Sequence, residues 1–326
     1  MTSVTAGAKI GVLTSGGDAP GMNAVIRSIV RTALHYDLKV IGIKRGYEGL
    51  ISGEIEELKG SSVSNIISAG GTILRTARCP AMTTEEGRQK AAEICKILKL
   101  DLLVVIGGDG SFAGALELSR LGVNVTGIPA TIDLDMTCTN YTIGFDTAVN
   151  TGMEAINKLR DTSSAHERCS VVELMGRGCG QISLWCGLTN GAEEVIIPEK
   201  DNINADAVIA RILHNRSKGK THNLVIVAEG VGGSAELAEQ IEKVTGISTR
   251  ATILGHLQRG GSPSAQDRHH ASLMGHMAVD LFLKGEKNRA IIYRDGKHTH
   301  MDLGEALACE RKYDDSLYQI LKILSI

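Results

Sequence analysis

The sequence predicts an α/β protein built from two doubly wound domains with largely parallel sheets and an active site in the cleft between them. Three observations carry the prediction. Short apolar runs alternate with stretches at helical spacing along the whole chain, with no internal repeat and no low-complexity linker. Glycine is frequent, at 38 residues, and gathers directly after the apolar runs, where tight strand-to-helix turns belong. A chain of 326 residues with 43 % hydrophobic content has room for about two domains and their cores.

The elements follow in order. Ile10-Gly11-Val12-Leu13-Thr14 is a strand, and Ser15-Gly16-Gly17-Asp18-Ala19-Pro20-Gly21 is the turn after it. Met22, Val25, Ile26, Ile29, Val30 and Ala33 then share one helix face. Such a turn either simply joins strand to helix or lets backbone N–H groups meet an anion. Arg27 and Arg31 lie one turn apart on the polar side, as a solvated face or as a phosphate clamp. Val40-Ile41-Gly42-Ile43 is the next strand, and Lys44-Arg45-Gly46-Tyr47-Glu48-Gly49 reads as its loop. Arg75 and Arg78 follow the Gly70-Gly71 turn and suggest a phosphate contact. Thr83-Thr84-Glu85-Glu86 starts a helix in capping-box fashion, burying Ile94 and Leu98.

Leu102-Leu103-Val104-Val105-Ile106 is apolar throughout, the mark of a strand covered on both faces. It runs into Gly107-Gly108-Asp109-Gly110-Ser111, which allows close backbone approach to phosphates and leaves Asp109 to meet a divalent metal. A helix over 112–121 and the strand Val125-Thr126-Gly127-Ile128 come next. Pro129-Ala130-Thr131-Ile132-Asp133-Leu134-Asp135 then places two carboxylates two residues apart past a strand end, the edge where open α/β sheets bind ligands. If the segment stays extended, Asp133 and Asp135 face one way.

Beyond it, a helix carries Val149, Met153 and Ile156 on one face and ends near Asp161. Strands are expected at 170–174, 195–197, 224–227, 251–254 and 289–293, and helices at 204–214, 264–283 and 314–324. Chain crossings near 145 and 262 divide the sequence into one domain of 1–144 with 263–308 and another of 145–262 with 309–326.

Net charge is −2, and no basic tract offers a nucleic-acid footprint. No apolar run approaches the ~20 residues of a membrane span. Met1-Thr2-Ser3-Val4-Thr5-Ala6-Gly7 lacks the sections of a signal peptide. Seven widely spaced cysteines without a Cys-x-x-Cys pair read as reduced thiols of a cytoplasmic protein. Three glycine-bearing strand ends, two with carboxylates, suggest a phosphorylated nucleotide with a metal. Arg168, Arg177, Arg250, Arg259 and His256 suit a second bound anion. A donor phosphate, an acceptor phosphate and a spare aspartate describe phosphoryl transfer. The Gly-x₄-Gly-Lys-Ser/Thr loop of P-loop enzymes is absent.

Five segments in this order resemble the bacterial ATP-dependent 6-phosphofructokinases, over nearly the whole chain. They are Thr14 through Asn23, Gly107 through Ser111, Thr131-Ile132-Asp133, Met175-Gly176-Arg177 and His256-Leu257-Gln258-Arg259-Gly260-Gly261-Ser262-Pro263. The resemblance implies transfer of the γ-phosphate of ATP to O1 of fructose 6-phosphate with Mg²⁺, the first committed step of glycolysis. It implies that the 1–144 and 263–308 domain binds nucleotide and the other binds sugar phosphate. Asp133 would take the hydroxyl proton, aided by Thr131, Arg78 and Arg177, and Asp109 would hold the metal. Gly17, Arg78, Cys79, Gly108, Asp109, Gly110 and Ser111 would hold ATP. Thr131, Ile132, Asp133, Met175, Gly176, Arg177 and Glu229 would line the sugar site. Arg168, Arg250, His256 and Arg259 would grip the 6-phosphate, with Arg168 and Arg250 supplied by a neighbouring subunit of a homotetramer. A nucleotide or phosphoenolpyruvate effector would use Arg27, Arg31, Arg160, Gly191, Glu193, Lys218, Lys220 and His222.

The chain departs from that pattern at Ala130, where Gly is usual, and at Leu134, where Asn is usual. Gly60, Ser61 and Asn65 replace what are often Arg, Tyr and Asp in the effector region. Pyrophosphate-dependent relatives tend to carry Asp in place of Gly110, so Gly110 argues for ATP. The alternatives are a pyrophosphate-dependent enzyme and a catalytically weak regulatory paralogue.

Overall fold

The computed structural model describes residues 7–200, 203–310 and 314–325. The reading of the amino-terminal segment as no signal peptide lies, Gly7 apart, outside the described residues. The chain forms two compact units. One is Met1–Ile132, Met136–Thr147 and Arg259–Arg311; the other is Asp133–Asp135, Ala148–Gln258 and Lys312–Ile326.

The first unit opens with β1 (Lys9–Thr14), α1 (Met22–His35), β2 (Lys39–Ile43), α2 (Gly46–Ser52) and β3 (Ile55–Leu58). It continues through α3 (Glu85–Ile97), β4 (Leu102–Gly107), α4 (Asp109–Arg120) and β5 (Val125–Pro129). From α5 (Phe145–Ala165) the chain runs into the second unit. There it forms β6 (Cys169–Leu174), α6 (Gln181–Asn190), β7 (Glu194–Ile196) and α7 (Ala205–Ser217). β8 (Asn223–Ala228), α8 (Ser234–Thr245) and β9 (Thr249–Ile253) follow. The first unit is completed by α9 (Ala265–Leu283), β10 (Arg289–Arg294), β11 (Lys297–Asp302) and α10 (Leu303–Ala308), and α11 (Ser316–Leu324) belongs to the second.

The larger sheet has the order β11-β10-β5-β4-β1-β2-β3. Its five inner strands are parallel, with Val12 opposite Val104 and Leu13 opposite Ile43. β4 is buried along its full length, as its unbroken apolar run requires. Leu13, Ile43, Leu103, Val105 and Phe112 form the heart of one core. The smaller sheet, β7-β8-β6-β9, is wholly parallel. Its core gathers Val171, Val225, Val227, Ile212 and Ile241.

Several expectations change. The edge strands β3 and β11 are antiparallel and were not expected. β3 has only four residues, and β11 reads Lys-His-Thr-His-Met-Asp, so neither shows an apolar run. The Lys44–Gly49 stretch is no open loop, because α2 starts at Gly46 after a left-handed Arg45 and buries Tyr47 and Leu50. α4 begins at Asp109, three residues before the expected start. On α3 the fully buried face is Ala91, Ala92 and Cys95, with Ile94 and Leu98 half-buried. Thr84 does cap that helix, accepting from the Gly87 N–H at 3.1 Å.

Candidate functional site

In the first unit the site is assembled at the carboxyl ends of adjacent strands β1 and β4. Ser15 N–H donates to the Ile106 carbonyl at 3.0 Å, so the two turns leave the sheet together. Ser111 Oγ donates to the Ser15 carbonyl at 3.0 Å and ties the second turn to the first. Gly107 is obligatory here, since a Cβ on it would stand 2.5 Å from Ser111 Oγ. Gly16 is left-handed, with φ +88°, and its carbonyl accepts from Thr76 Oγ1 at 2.6 Å. Thus the segment bearing Arg78 and Cys79 is fastened to the first turn.

Asp109 is the first residue of α4 and is exposed, while Gly108 before it is extended. A carboxylate there sits in the positive end of the helix dipole. Gly110 is exposed, and Ser111 is buried. Thr131 comes beside this turn: a Cβ on Gly108 would lie 3.7 Å from Thr131 Cβ. Arg78 is exposed and Cys79 half-buried. Loss of hydration pushes the Cys79 thiol up, with the nearby Glu48 carboxylate adding to it. Arg259 belongs to this unit and lies over the first turn, Nη1 donating to the Asp18 carbonyl at 3.2 Å. A Cβ on Gly17 would be 2.6 Å from the same Nη1.

Asp133 is buried, with 5 % exposure, between buried Ile132 and Leu134. The extended course expected of this segment is not what the structure shows. Leu134 has φ +53°, so the chain turns between Asp133 and Asp135 and their side chains do not share a direction.

In the second unit the turn after β6 carries Met175, Gly176 and Arg177. Gly176 and Arg177 both have positive φ, and their successive N–H groups donate to Glu229 Oε1 at 3.2 and 2.5 Å. Two adjacent N–H groups pointing one way form an anion-binding nest, here filled by a side chain of the chain itself. Gln258, fully buried, accepts the Met175 N–H at 2.8 Å and donates to the Ala148 carbonyl at 3.4 Å.

The predicted phosphate ligands are divided. His256 follows the carboxyl end of β9, on the same sheet edge as Arg177 and Glu229. Arg168 precedes β6, and Arg250, opposite Ser170, is near the amino end of β9. Among the described residues Arg250 reaches Glu242, at 2.9 Å, and the Thr249 carbonyl, at 2.8 Å. Of the effector set, Arg160 donates to the Asn190 carbonyl and, at 3.4 Å, to that of Gly191. Glu193 is buried and ion-paired with Lys220. Lys218 caps α7 and His222 precedes β8, again at the amino edge. Arg27 and Arg31 lie on α1, the latter donating to the Gly60 carbonyl at 3.3 Å.

Three residues outside the predicted set hold the site's frame. Asn23 donates to the Ala69 and Gly70 carbonyls, both at 3.1 Å, and accepts from the Ile73 N–H at 2.8 Å. Asp267 accepts from Tyr141 Oη at 2.6 Å, the Gly144 N–H at 2.7 Å, the Thr147 N–H at 2.9 Å and Thr147 Oγ1 at 2.5 Å. Glu199 accepts the Gly180 N–H at 2.8 and 3.1 Å. None carried a local signal except Asn23, which stands in the glycine-rich motif.

Glycine-rich turns at strand ends, a helix-start aspartate and a buried aspartate past a neighbouring strand define a phosphoryl-transfer protein of the doubly wound α/β class. The Phosphofructokinase family model matches residues 9–282. The chain belongs to the phosphofructokinase family. It is 61 % identical over 316 residues to the ATP-dependent 6-phosphofructokinase of Clostridium botulinum strain Hall, covering 97 % of this chain and 99 % of that one. It is 56 % identical over 317 residues to ATP-dependent 6-phosphofructokinase 1 of Clostridium perfringens strain 13, with the same coverage. Among solved structures it is similar to Pichia pastoris phosphofructokinase, at TM-score 0.89 and 32 % identity, spanning 99 % of this chain and 37 % of that chain.

Proposed function

We propose that the chain transfers the γ-phosphoryl group of ATP to O1 of fructose 6-phosphate, giving fructose 1,6-bisphosphate and ADP. The observation that carries the reading is Asp133, a buried carboxylate four residues past β5, whose neighbour β4 ends in the Gly107-Gly108-Asp109-Gly110-Ser111 turn. Asp133 accepts the proton of the attacking hydroxyl, a role worth about 10²–10⁴ in rate. Gly17, Cys79, Gly108, Gly110 and Ser111 hold the nucleotide, and Arg78 steadies the transferred group with Thr131. Met175, Gly176, Arg177 and Glu229 hold the sugar, and His256 and Arg259 take its phosphate.

Asp109 suits Mg²⁺. Among the described residues no three His, Cys, Asp or Glu side chains gather as a metal cage. A Mg²⁺ site commonly has one or two protein carboxylates, with phosphates and water completing the shell. The ion supplies neutralisation of charge developing on the phosphate oxygens.

The working assembly is a homotetramer in which Arg168 and Arg250 serve a neighbouring copy. Their place at the amino edge, away from Arg177 and His256, supports this. A nucleotide or phosphoenolpyruvate effector binds near Arg160, Gly191, Glu193 and Lys220, the group gathered at that same edge. The enzyme works in the cytoplasm, a reading supported by its seven free cysteines. Among the described residues no helix is long and apolar enough to cross a membrane.

The test is turnover of purified protein with Mg-ATP and fructose 6-phosphate. ADP and the bisphosphate are expected in equal amounts, and Asp133→Asn is expected to lose about 10²–10⁴ in kcat with KM less affected. Faster turnover with pyrophosphate than with ATP, or binding of both substrates without turnover, overturns the reading.

A further inference from the structure

Leu134 occupies a left-handed conformation that is strained for an L residue other than Asn or Asp. It separates Asp133 from Asp135, so whatever holds it there sets the direction of both carboxylates. The Leu134 carbonyl faces the Cys179 thiol, with Sγ 4.0 Å from the oxygen. Cys179 lies one residue before Gly180, whose N–H is bound by both oxygens of Glu199. Gly180 must be glycine, because a Cβ would come within 2.7 Å of Glu199 Oε2 and 2.5 Å of Ile197 Cβ. Residues 133–135, 179, 180 and 199 all belong to one compact unit.

We propose that Cys179 and Glu199 are positioning residues for the phosphoryl transfer: Glu199 fixes Gly180, which aims the Cys179 thiol at the Leu134 carbonyl and holds the turn that orients Asp133. The inference rests on Asp133 being the base. Only a protonated thiol can donate to a carbonyl. Burial, reinforced by the Glu199 and Asp135 carboxylates, pushes the Cys179 thiol up to about 12, so it stays protonated throughout the working range. The thiol thus joins the turn that Glu199 anchors through Gly180 to the backbone beside the base.

The test is steady-state kinetics of Cys179→Ala, Cys179→Ser, Glu199→Ala and the Cys179→Ala/Glu199→Ala double variant, with melting temperatures and Asp133→Asn as control. A misplacement of the base predicts that Cys179→Ala and Glu199→Ala each lose about tenfold or more in kcat, with both KM values within about threefold. Cys179→Ser, which keeps a donor, should recover most of that loss. The double variant should fall no further than the worse single one, because the two act in series. Wild-type kcat in Cys179→Ala, equal damage from Ser and Ala, or an additive double loss overturns the proposal. An active Asp133→Asn overturns the assignment of the base instead.

Discussion

Arg168 and His256 stand at opposite ends of one four-stranded sheet. Arg168 enters β6 and His256 leaves its parallel neighbour β9. A strand of this length rises roughly 17 Å. Arg168 and Arg250, toward the amino edge, thus stand apart from His256 of the same copy, and a phosphate gripped by all three is expected to draw on two copies. Arg250 contributes little to its own fold, since its pair with Glu242 is largely solvated. Arg250→Ala is expected to keep its melting temperature and raise the KM for fructose 6-phosphate roughly 10–100-fold, the loss of a charge-assisted bond. Co-refolding Arg250→Ala with Asp133→Asn should restore low-KM turnover, because some sites then take Asp133 from one chain and Arg250 from another. Failure of the mixture to exceed its components would show that each copy binds sugar phosphate alone.

Gly17 supports a second prediction. The atom that would meet an added Cβ is Arg259 Nη1, the far end of a flexible side chain, so Gly17→Ala should fold with an unchanged melting temperature. The displaced guanidinium loses the Asp18 carbonyl and its place over the turn. The KM values for both substrates should rise by about tenfold, equivalent to ~1.4 kcal/mol. A variant with wild-type KM values would mean that Arg259 has no fixed position during turnover.

Much of this was legible because both sheets are mainly parallel. Parallel strands buried on two faces announce themselves as unbroken apolar runs, and β4 and β8 are buried at every residue. The motif glycines were equally readable, being tied to backbone approach. What escaped were elements whose reason is tertiary. β11 is polar but for Met301 and exists because β10 pairs with it. Its one local signal was Asp295-Gly296, with φ of 52° and 75°, a two-residue hairpin turn. The turn at Leu134 was invisible because leucine gives no hint of a left-handed backbone. Asp267 looked like any helix-start aspartate, and only its distant partners reveal what it does.

Asp267 yields a third prediction. It is fully buried at the start of α9 and collects four donors from residues 141–147, the segment that leads from the 133–135 turn into α5. Burial pushes its carboxyl up, and the hydrogen bonds from Thr147, Tyr141 and Gly144 oppose that rise. Asp267→Asn turns an acceptor-only group into one with two donors facing donors. The expected loss is about 2–4 kcal/mol by urea unfolding, with Asp267→Ala at least as damaging. A loss below ~1 kcal/mol would mean that these donors find other acceptors.

The fourth prediction concerns acid. His270 packs against Tyr141 with ring centroids 3.9 Å apart, and its Nδ1 lies 2.9 Å from His298 Nε2. One of the two imidazoles must be neutral to accept that hydrogen bond. Burial, then the neighbouring His298 and His269, push His270 down to about 4. Burial and His269 push His298 down as well. A base with a depressed folded pKa binds fewer protons folded than unfolded, so stability rises with pH across the interval between the two values. The contribution of His270 is therefore complete above about 6.5, its unfolded value, and disappears as pH falls toward 4. At ~1.4 kcal/mol per unit the full interval is worth about 3 kcal/mol, and with solvent screening urea unfolding should show a loss of roughly 2 kcal/mol across that window. His270→Gln, which cannot titrate, should flatten the slope there while the wild-type slope above pH 7 is unaffected. An equal slope in the variant would place the acid sensitivity in the carboxylates rather than in this imidazole pair.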